Sequence, residues 1–160
     1  GAVLMDLSKS YDNLNLDLLI AKIQEYSNMK DTLKLLKSNL SYRWQRTKIN
    51  TSFSNWNELV IGVPQGSVLG PLLFNMYIND LFYFVESTNV CNYADTTFHI
   101  CDTNLSDLIR NLEHDSLIAI EWFDSNYMQL NQEKCHLLIS GYKHEMLWAD
   151  IGNHRIWESK

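Results

Sequence analysis

The 160-residue sequence is poor in proline, in paired cysteines and in uninterrupted apolar runs. It has two prolines and three cysteines, and Cys91, Cys101 and Cys135 form no CxxC pair, which fits neither a disulfide framework nor a zinc site. We therefore expect a reducing, intracellular location, either nuclear or cytoplasmic. The longest apolar stretch, PLLFNMYINDLFYFV, contains polar residues and falls short of the roughly 20 residues of a membrane span. We expect it to be a buried helix, with no membrane partner.

The sequence also lacks an excess of positive charge. Its net charge is -6 and its isoelectric point is near 5.2, so the overall charge does not supply the basic surface that drives nucleic-acid binding. Such a partner would have to be held locally or by other parts of a longer protein. The length and a hydrophobic fraction of 46% predict one domain over residues 1–160. Because the chain begins with Gly1 inside an apparent strand, we expect a fragment.

Hydrophobic periodicity predicts an α+β fold. A short apolar strand, AVLMDL, has Asp6 near its end, a helix is predicted over 14–26, and a second helix ends at Leu40. Two alternating segments, YRWQRTKIN and WNELVIG, predict a hairpin with its turn at NTSFSN. Further strands are predicted in NVCNYADTTFHICD, CHLLISG and EMLWADIGNHRIWESK. A long amphipathic helix is predicted before CHLLISG, with an apolar face of Leu105, Leu108, Ile109, Leu112, Leu117, Ile120 and Phe123.

Two segments each allow two interpretations. The strand YRWQRTKIN has a basic face of Arg43, Arg46 and Lys48. A solvated edge strand protected by charge is the more common arrangement, and contact with nucleic acid is the alternative.

The run GVPQGSVLGP is rich in glycine and proline. The chain has six glycines and two prolines, and five of these eight residues lie in this run, before a helix with Pro71 in its first turn. Such a loop either offers backbone N–H groups to a phosphate or nucleotide or merely connects strand to helix.

Two aspartates lie where an apolar strand meets a turn. Asp6 ends the first strand, and Asp95 occupies a predicted hairpin tip without the glycine or asparagine usual in tight turns. Two carboxylates brought together from adjacent strands repel each other unless a cation lies between them. Mg²⁺ takes one or two carboxylates plus substrate phosphates, as in two-metal phosphoryl transfer. An aspartate at a strand end is also common without such a role, so both interpretations stay open.

Four segments in this order resemble the successive palm motifs of reverse transcriptases, specifically those of non-LTR, LINE-like retrotransposons of animals: VLMDLSKSYD, GVPQGSVLGPLLFNMYIND, NYADTT and NYMQLNQEKCHLLISG. The resemblance extends over nearly the whole chain. It implies an RNA-directed DNA polymerase palm, an antiparallel sheet backed by helices, that uses two Mg²⁺ ions to add deoxynucleotides to a DNA primer on an RNA template. It also implies that fingers would precede Gly1 and that a primer grip and thumb would follow Lys160.

The same resemblance implies roles for individual residues. Asp6 and Asp95 match metal-binding aspartates, and the carbonyl of Leu7 would be a further metal ligand. Tyr11 matches the aromatic residue that excludes a 2′-hydroxyl, a position where most relatives have phenylalanine. Lys134 matches a lysine proposed to donate a proton to the leaving pyrophosphate, with simple solvation as the alternative. The positions that would bind the substrate are Leu7, Lys9, Ser10, Tyr11, Gln65 and Gly66.

The motifs depart from the family at two positions. Thr96 stands where relatives have the second of two consecutive aspartates, and Leu16 where close relatives have histidine. Loss of a carboxylate predicts weaker binding of Mg²⁺ and a copy with little or no activity. Three hypotheses stay open: a polymerase palm by descent, a decayed copy that is at most an interaction module, and a fragment that does not fold alone.

Overall fold

The computed structural model describes residues 1–26, 30–93, 95–141 and 146–159, without the side chains of Tyr93 and Asp95. Within these residues the helices α1 to α4 are Leu16–Tyr26, Lys30–Leu40, Leu69–Ile78 and Leu105–Ser125. Short 3₁₀ helices span Asn79–Tyr83 and Gln132–Lys134. The strands β1 to β12 are Ala2–Met5, Leu7–Ser8, Arg43–Gln45, Lys48–Ile49, Ser52–Phe53, Asn57–Leu59, Asn89–Tyr93, Asp95–His99, Gln129–Leu130, His136–Leu138, Trp148–Ile151 and His154–Trp157.

Contacts within the chain divide it into two compact units, Gly1–Ser10 with Asn79–Lys160 and Tyr11–Ile78. The first unit contains a four-stranded antiparallel sheet in the order β10-β1-β8-β7. Helices together with antiparallel sheets confirm the predicted α+β class. The single domain stays a prediction, because compact units of one chain can form one domain or two. No helix in the described parts of the chain has the length and apolar character needed to cross a bilayer.

The four-stranded sheet forms because its strands alternate buried and more exposed residues. Val3 and Met5 on β1 are fully buried, as is Phe98 on β8. Val3 lies opposite Phe98 on one side and opposite Leu137 of β10 on the other. Residues directly opposite each other in an antiparallel pair have neighbouring side chains on one face of the sheet. Helix α4 packs against β1 and β8, and burying each of these side chains contributes about 1.5–3 kcal/mol.

The buried face of α4 differs in part from the predicted one. Leu117, expected on the apolar face, is exposed, whereas Asp115 and Ser116 are fully buried. The prediction for Leu117 was wrong. The buried face of the helix includes Asp115, Ser116 and Ala119, and Leu117 lies outside that face. The buried apolar residues of the helix are Leu108, Leu112, Ala119, Trp122 and Phe123.

The second unit is built around α1, which packs against α2 and α3. The predicted helix over 14–26 is confirmed, although it begins at Leu16. Leu14 is nevertheless fully buried, so its apolar side chain contributes to the core from the segment before the helix. The buried residues of α1 and α3 are Leu19, Ile20, Ile23, Gly70, Leu73, Phe74, Tyr77 and Ile78.

The predicted hairpin between α2 and the glycine-rich loop is confirmed. Strand β3 pairs with β6 and β4 pairs with β5, each antiparallel. Between the two ladders, the Ser54 N–H donates to the Thr47 carbonyl and the Thr47 N–H donates to the Ser54 hydroxyl, both at 2.9 Å. The turn is tighter than NTSFSN, because Ser52 and Phe53 belong to β5 and Asn50 provides the left-handed turn residue at φ 53°.

Candidate functional site

Asp6 lies in the first unit, between β1 and β2, with its side chain 23% exposed. Its backbone carbonyl accepts a hydrogen bond from the Asn131 N–H at 2.8 Å. The Nζ atom of Lys134, three residues further on, lies 3.4 Å from Oδ2 of Asp6. The structure therefore brings two of the predicted catalytic residues together. An ion pair as exposed as this one contributes at most about 1 kcal/mol to stability, so its main effect is on the charge around the Asp6 carboxylate.

Asp95 begins β8 and pairs with Tyr93 of β7, and Ala94 lies outside the described residues. The side chain of Asp95, the second predicted metal ligand, is also outside them. Its backbone is described, and the register of β1 with β8 pairs Met5 with Thr96. The next residues at the same end of that pair are Asp6, which follows β1, and Asp95, the first residue of β8. The two aspartates thus occupy the ends of neighbouring strands, although far apart in the sequence.

Thr96 occupies the buried core and not an open edge. Its side chain is fully buried, as is that of its β1 partner Met5. Among the described residues, its Oγ1 atom has no hydrogen-bond partner. A buried hydroxyl left in this state costs roughly 1–3 kcal/mol, and a lone buried carboxylate costs far more. A carboxylate at position 96 would therefore destabilise this arrangement unless a bound cation or a hydrogen bond compensated its charge.

The residues after Asp6 form a tight turn. Leu7 is buried and pairs with Leu130 of β9, and its carbonyl accepts a hydrogen bond from the Ser10 hydroxyl at 3.1 Å. Lys9 is exposed and adopts a left-handed backbone with φ 49°, which costs a non-glycine residue on the order of 1–2 kcal/mol. The Leu7 carbonyl, a predicted metal ligand, is thus already in use as an acceptor in this conformation.

Three predicted substrate-binding residues lie in the second unit. The ring of Tyr11 packs against that of Phe74 on α3, with centroids 5.2 Å apart and planes tilted by 38°. The Nε2 atom of Gln65 donates a hydrogen bond to the Asp12 carboxylate at 2.8 Å. Gly66 has φ +77° and open space where a Cβ atom would be. Asp12, which the sequence analysis missed, therefore holds the Nε2 end of the Gln65 carboxamide.

The glycine-rich loop is held against the segment after Tyr11 by backbone contacts. The N–H of Gly62 donates to the carbonyl of Leu14, and the N–H of Val63 donates to the carbonyl of Tyr11, both at 2.8 Å. Gly62 has φ +75°, and a Cβ atom there would lie 2.6 Å from the carbonyl oxygen of Asp12. Only glycine fits this close approach, so the spacing of glycines in the motif has a local structural reason.

The described residues contain no group of three or more histidine, cysteine or acidic side chains that could hold a metal ion. One partly exposed carboxylate, that of Asp6, is described, and Asp95 begins the neighbouring strand at the same end of the sheet. Burial raises the pKa of the nearby Cys135 thiol above its ordinary value, which disfavours a thiolate ligand. The oxygen donors at this position are those that Mg²⁺ prefers.

Asp115 is a further polar residue that sequence reasoning missed. Its buried carboxylate accepts hydrogen bonds from the N–H groups of Ser87 and Thr88, at 2.9 and 2.6 Å. Its other oxygen lies 3.1 Å from Nδ1 of His114. Ser87 and Thr88 lead directly into β7, so Asp115 attaches helix α4 to the strand that pairs with the one carrying Asp95.

Comparison with curated proteins finds two similar polymerases from Drosophila melanogaster. The probable RNA-directed DNA polymerase from transposon BS is 27% identical over 142 residues, which are 84% of this chain and 16% of that protein. The probable RNA-directed DNA polymerase from transposon X-element is 45% identical over 93 residues, 56% of this chain and 10% of that protein.

A third similar protein is a putative COX1/OXI3 intron 2 protein of Saccharomyces cerevisiae, 29% identical over 83 residues, 52% of this chain and 9% of that protein. The chain thus matches 16% or less of the length of each relative. The model of the family described as reverse transcriptase (RNA-dependent DNA polymerase) matches residues 1–151. Since that match extends over nearly the whole sequence, the chain belongs to the reverse transcriptase family.

Proposed function

We propose that this chain is the palm part of an RNA-directed DNA polymerase, which adds deoxynucleotides to a DNA primer on an RNA template. The observation that carries the proposal is the pairing of β1 with β8, whose register brings Asp6 and Asp95 to the ends of neighbouring strands. The antiparallel order β10-β1-β8-β7 with α4 packed on it is consistent with a palm. Family membership supports the reaction class, while the full activity belongs to much longer proteins.

Asp6, Asp95 and the Leu7 carbonyl are the proposed ligands of two Mg²⁺ ions. When bound, such ions supply charge stabilisation to a phosphoryl group in transfer. The carboxylate of Asp6 is partly exposed and so can reach a ligand. The Leu7 carbonyl already accepts one hydrogen bond, from the Ser10 hydroxyl, and its second lone pair is the one proposed to ligate the metal.

The remaining assignments concern the substrate. Lys134 is proposed to donate a proton to the leaving pyrophosphate, and the distance of 3.4 Å between its Nζ atom and Oδ2 of Asp6 supports this proposal. Tyr11 is proposed to exclude a 2′-hydroxyl, a role supported by the packing of its ring on Phe74. The backbone of Lys9 and Ser10, and the loop residues Gln65 and Gly66, are proposed to contact the triphosphate, the base or the template.

A second candidate function is a non-catalytic copy that binds partners without chemistry. It is favoured by Thr96, whose neutral, fully buried side chain stands where the resemblance to the family leads us to expect an aspartate. Removing one electrostatic contributor from a catalytic site costs on the order of 100- to 1000-fold in rate. We therefore propose that this copy has low activity even when the rest of a polymerase surrounds it.

The test is a chimera in which residues 1–151 replace the matching region of the transposon BS polymerase. Primer extension on an RNA template with Mg²⁺ should be weak, and Asp6→Asn or Asp95→Asn should abolish it. Asp107→Asn, which removes a surface carboxylate of α4, is the matched control and should leave extension unchanged. Extension that survives loss of Asp6 would contradict the polymerase proposal. A chimera that folds, binds template and never extends, even with Thr96→Asp, would favour the non-catalytic copy.

A further inference from the structure

The hairpin of β3 to β6 carries a cluster of cations and aromatic rings that the polymerase proposal does not use. The guanidinium carbon of Arg46 lies 3.9 Å from the ring centroid of Phe53 and 4.6 Å from that of Trp56. Nζ of Lys48 lies 5.4 Å from the centroid of Phe53. We call Arg46, Lys48, Phe53 and Trp56 the cation-ring cluster. Phe53 is 50% exposed and Trp56 is 56% exposed, so a large part of each ring faces solvent.

The hairpin exposes several large apolar side chains to solvent. Within the described residues, neither ladder has a third strand, and Tyr42, Trp44 and Ile49 are exposed in addition to the two rings of the cluster. Cation–ring contacts at exposed sites contribute about 0.5–1 kcal/mol each, which helps to stabilise an otherwise marginal two-stranded hairpin. That contribution accounts for the ring surface under the cations and leaves the solvent-exposed part of Phe53 and Trp56 without a role.

Charge indicates the class of partner. Residues 41–61 contain three cations, Arg43, Arg46 and Lys48, and one carboxylate, Glu58, in a chain with net charge -6. Arg43 is committed to the fold, since it donates to the backbone carbonyls of Leu40, Ile61 and Gly62, and burial lowers its pKa. The two cations of the cluster lie over rings that are half exposed to solvent. Rings that stack with bases beside cations that contact phosphates form the usual surface for single-stranded nucleic acid.

We propose that the cation-ring cluster binds single-stranded RNA, with bases stacked on Phe53 and Trp56 and phosphates near Arg46 and Lys48. An edge strand protected by its charge, the more common arrangement expected from sequence, does not account for two half-exposed rings beside those charges. The proposal does not rest on the metal site or on DNA synthesis. It applies equally to an active polymerase and to a copy without chemistry.

The test measures binding of the 160-residue chain to a fluorescein-labelled RNA of about 12 nucleotides by fluorescence anisotropy, with EDTA present and no nucleotide. Phe53→Ala and Trp56→Ala should each weaken binding by about 5-fold or more. The matched controls are Phe84→Ala and Trp157→Ala, because Phe84 is 54% exposed and Trp157 is 53% exposed and neither belongs to the cluster. Both controls should bind as the parent does, and circular dichroism should show all four variants folded.

Salt dependence tests the charged half of the proposal. In the double variant Arg46→Gln with Lys48→Gln, the slope of log affinity against log salt should become less negative by about 1.4, because each neutralised phosphate of a single strand contributes about 0.7 to that slope.

The proposal is overturned if the chain does not bind the RNA, or if the control variants lose as much affinity as the cluster variants. Equal affinity for a duplex RNA of the same length, or equal competition by polyglutamate, also overturns it, because neither ligand offers unpaired bases. Since the assay contains no metal, either result leaves the polymerase proposal standing.

Discussion

Replacing Asp115 by alanine tests how helix α4 is attached to the sheet. The Asp115 carboxylate is fully buried and accepts two backbone N–H groups, from Ser87 at 2.9 Å and from Thr88 at 2.6 Å. Asp115→Ala leaves both donors without their acceptor in a region shielded from water. These residues precede β7, so the change should loosen the edge of the four-stranded sheet next to β8.

The magnitude follows from the two hydrogen bonds. A hydrogen bond to a charged group contributes about 1.5–3 kcal/mol, so two of them set an upper range of about 3–6 kcal/mol. Removing the carboxylate also removes the cost of burying a charge, which reduces the expected loss for Asp115→Ala to about 2–4 kcal/mol. Asp115→Asn keeps one acceptor oxygen of the same shape and should lose less than Asp115→Ala.

The assay is urea unfolding followed by circular dichroism, with hydrogen exchange at the Ser87 and Thr88 amides to locate the change. Asp107→Ala on the same helix is the control, since Asp107 pairs with Arg110 on the surface at 2.6 Å and such pairs contribute about 1 kcal/mol or less. If Asp115→Ala costs no more than Asp107→Ala, or if exchange at the two amides is unchanged, the attachment of α4 through Asp115 is wrong.

Two further predictions concern buried groups of the first unit. Thr96→Val should leave stability unchanged or raise it by up to about 1 kcal/mol, because it replaces a hydroxyl without a described partner by a methyl group of similar size; a loss above that value in urea unfolding would show that the hydroxyl is paired. Burial raises the pKa of Cys135, so iodoacetamide at pH 8 should alkylate it more slowly than the exposed Cys91 and Cys101. Equal rates by mass spectrometry would contradict the buried position.

Local elements of this fold follow from local sequence patterns. The period of apolar residues predicts α4, and alternation predicts the hairpin of β7 and β8 and that of β11 and β12, all of which the structure contains. The order β10-β1-β8-β7 does not follow from such patterns, because β1 pairs with strands about 90 and 130 residues away and periodicity carries no information about distant partners. The strand-end positions of Asp6 and Asp95 left a shared cation site as one of two interpretations, and the resemblance to reverse transcriptases favoured it.

Polar residues inside the core were the hardest to predict. Asp115 and Ser116 interrupt an apolar stripe, and a charged residue on a helix is usually solvated, so the period assigned Leu117 to the core instead. The Asp115 site depends on two backbone N–H groups from a distant loop. The cation-ring cluster was also missed, because the basic face of the strand was visible in the sequence while the positions of Phe53 and Trp56 relative to Arg46 depend on the register of the hairpin.

The most direct test of the proposed site is where a divalent cation binds. Mn²⁺ substitutes for Mg²⁺ and broadens nuclear magnetic resonances close to it, so a titration of the ¹⁵N-labelled chain reports the position of the ion. The account predicts that the amides of Asp6, Leu7 and Asp95 broaden first, that Asp6→Asn removes this broadening and that the control Asp107→Asn keeps it. Broadening that starts elsewhere, or that persists in Asp6→Asn, would contradict a metal site at the ends of β1 and β8.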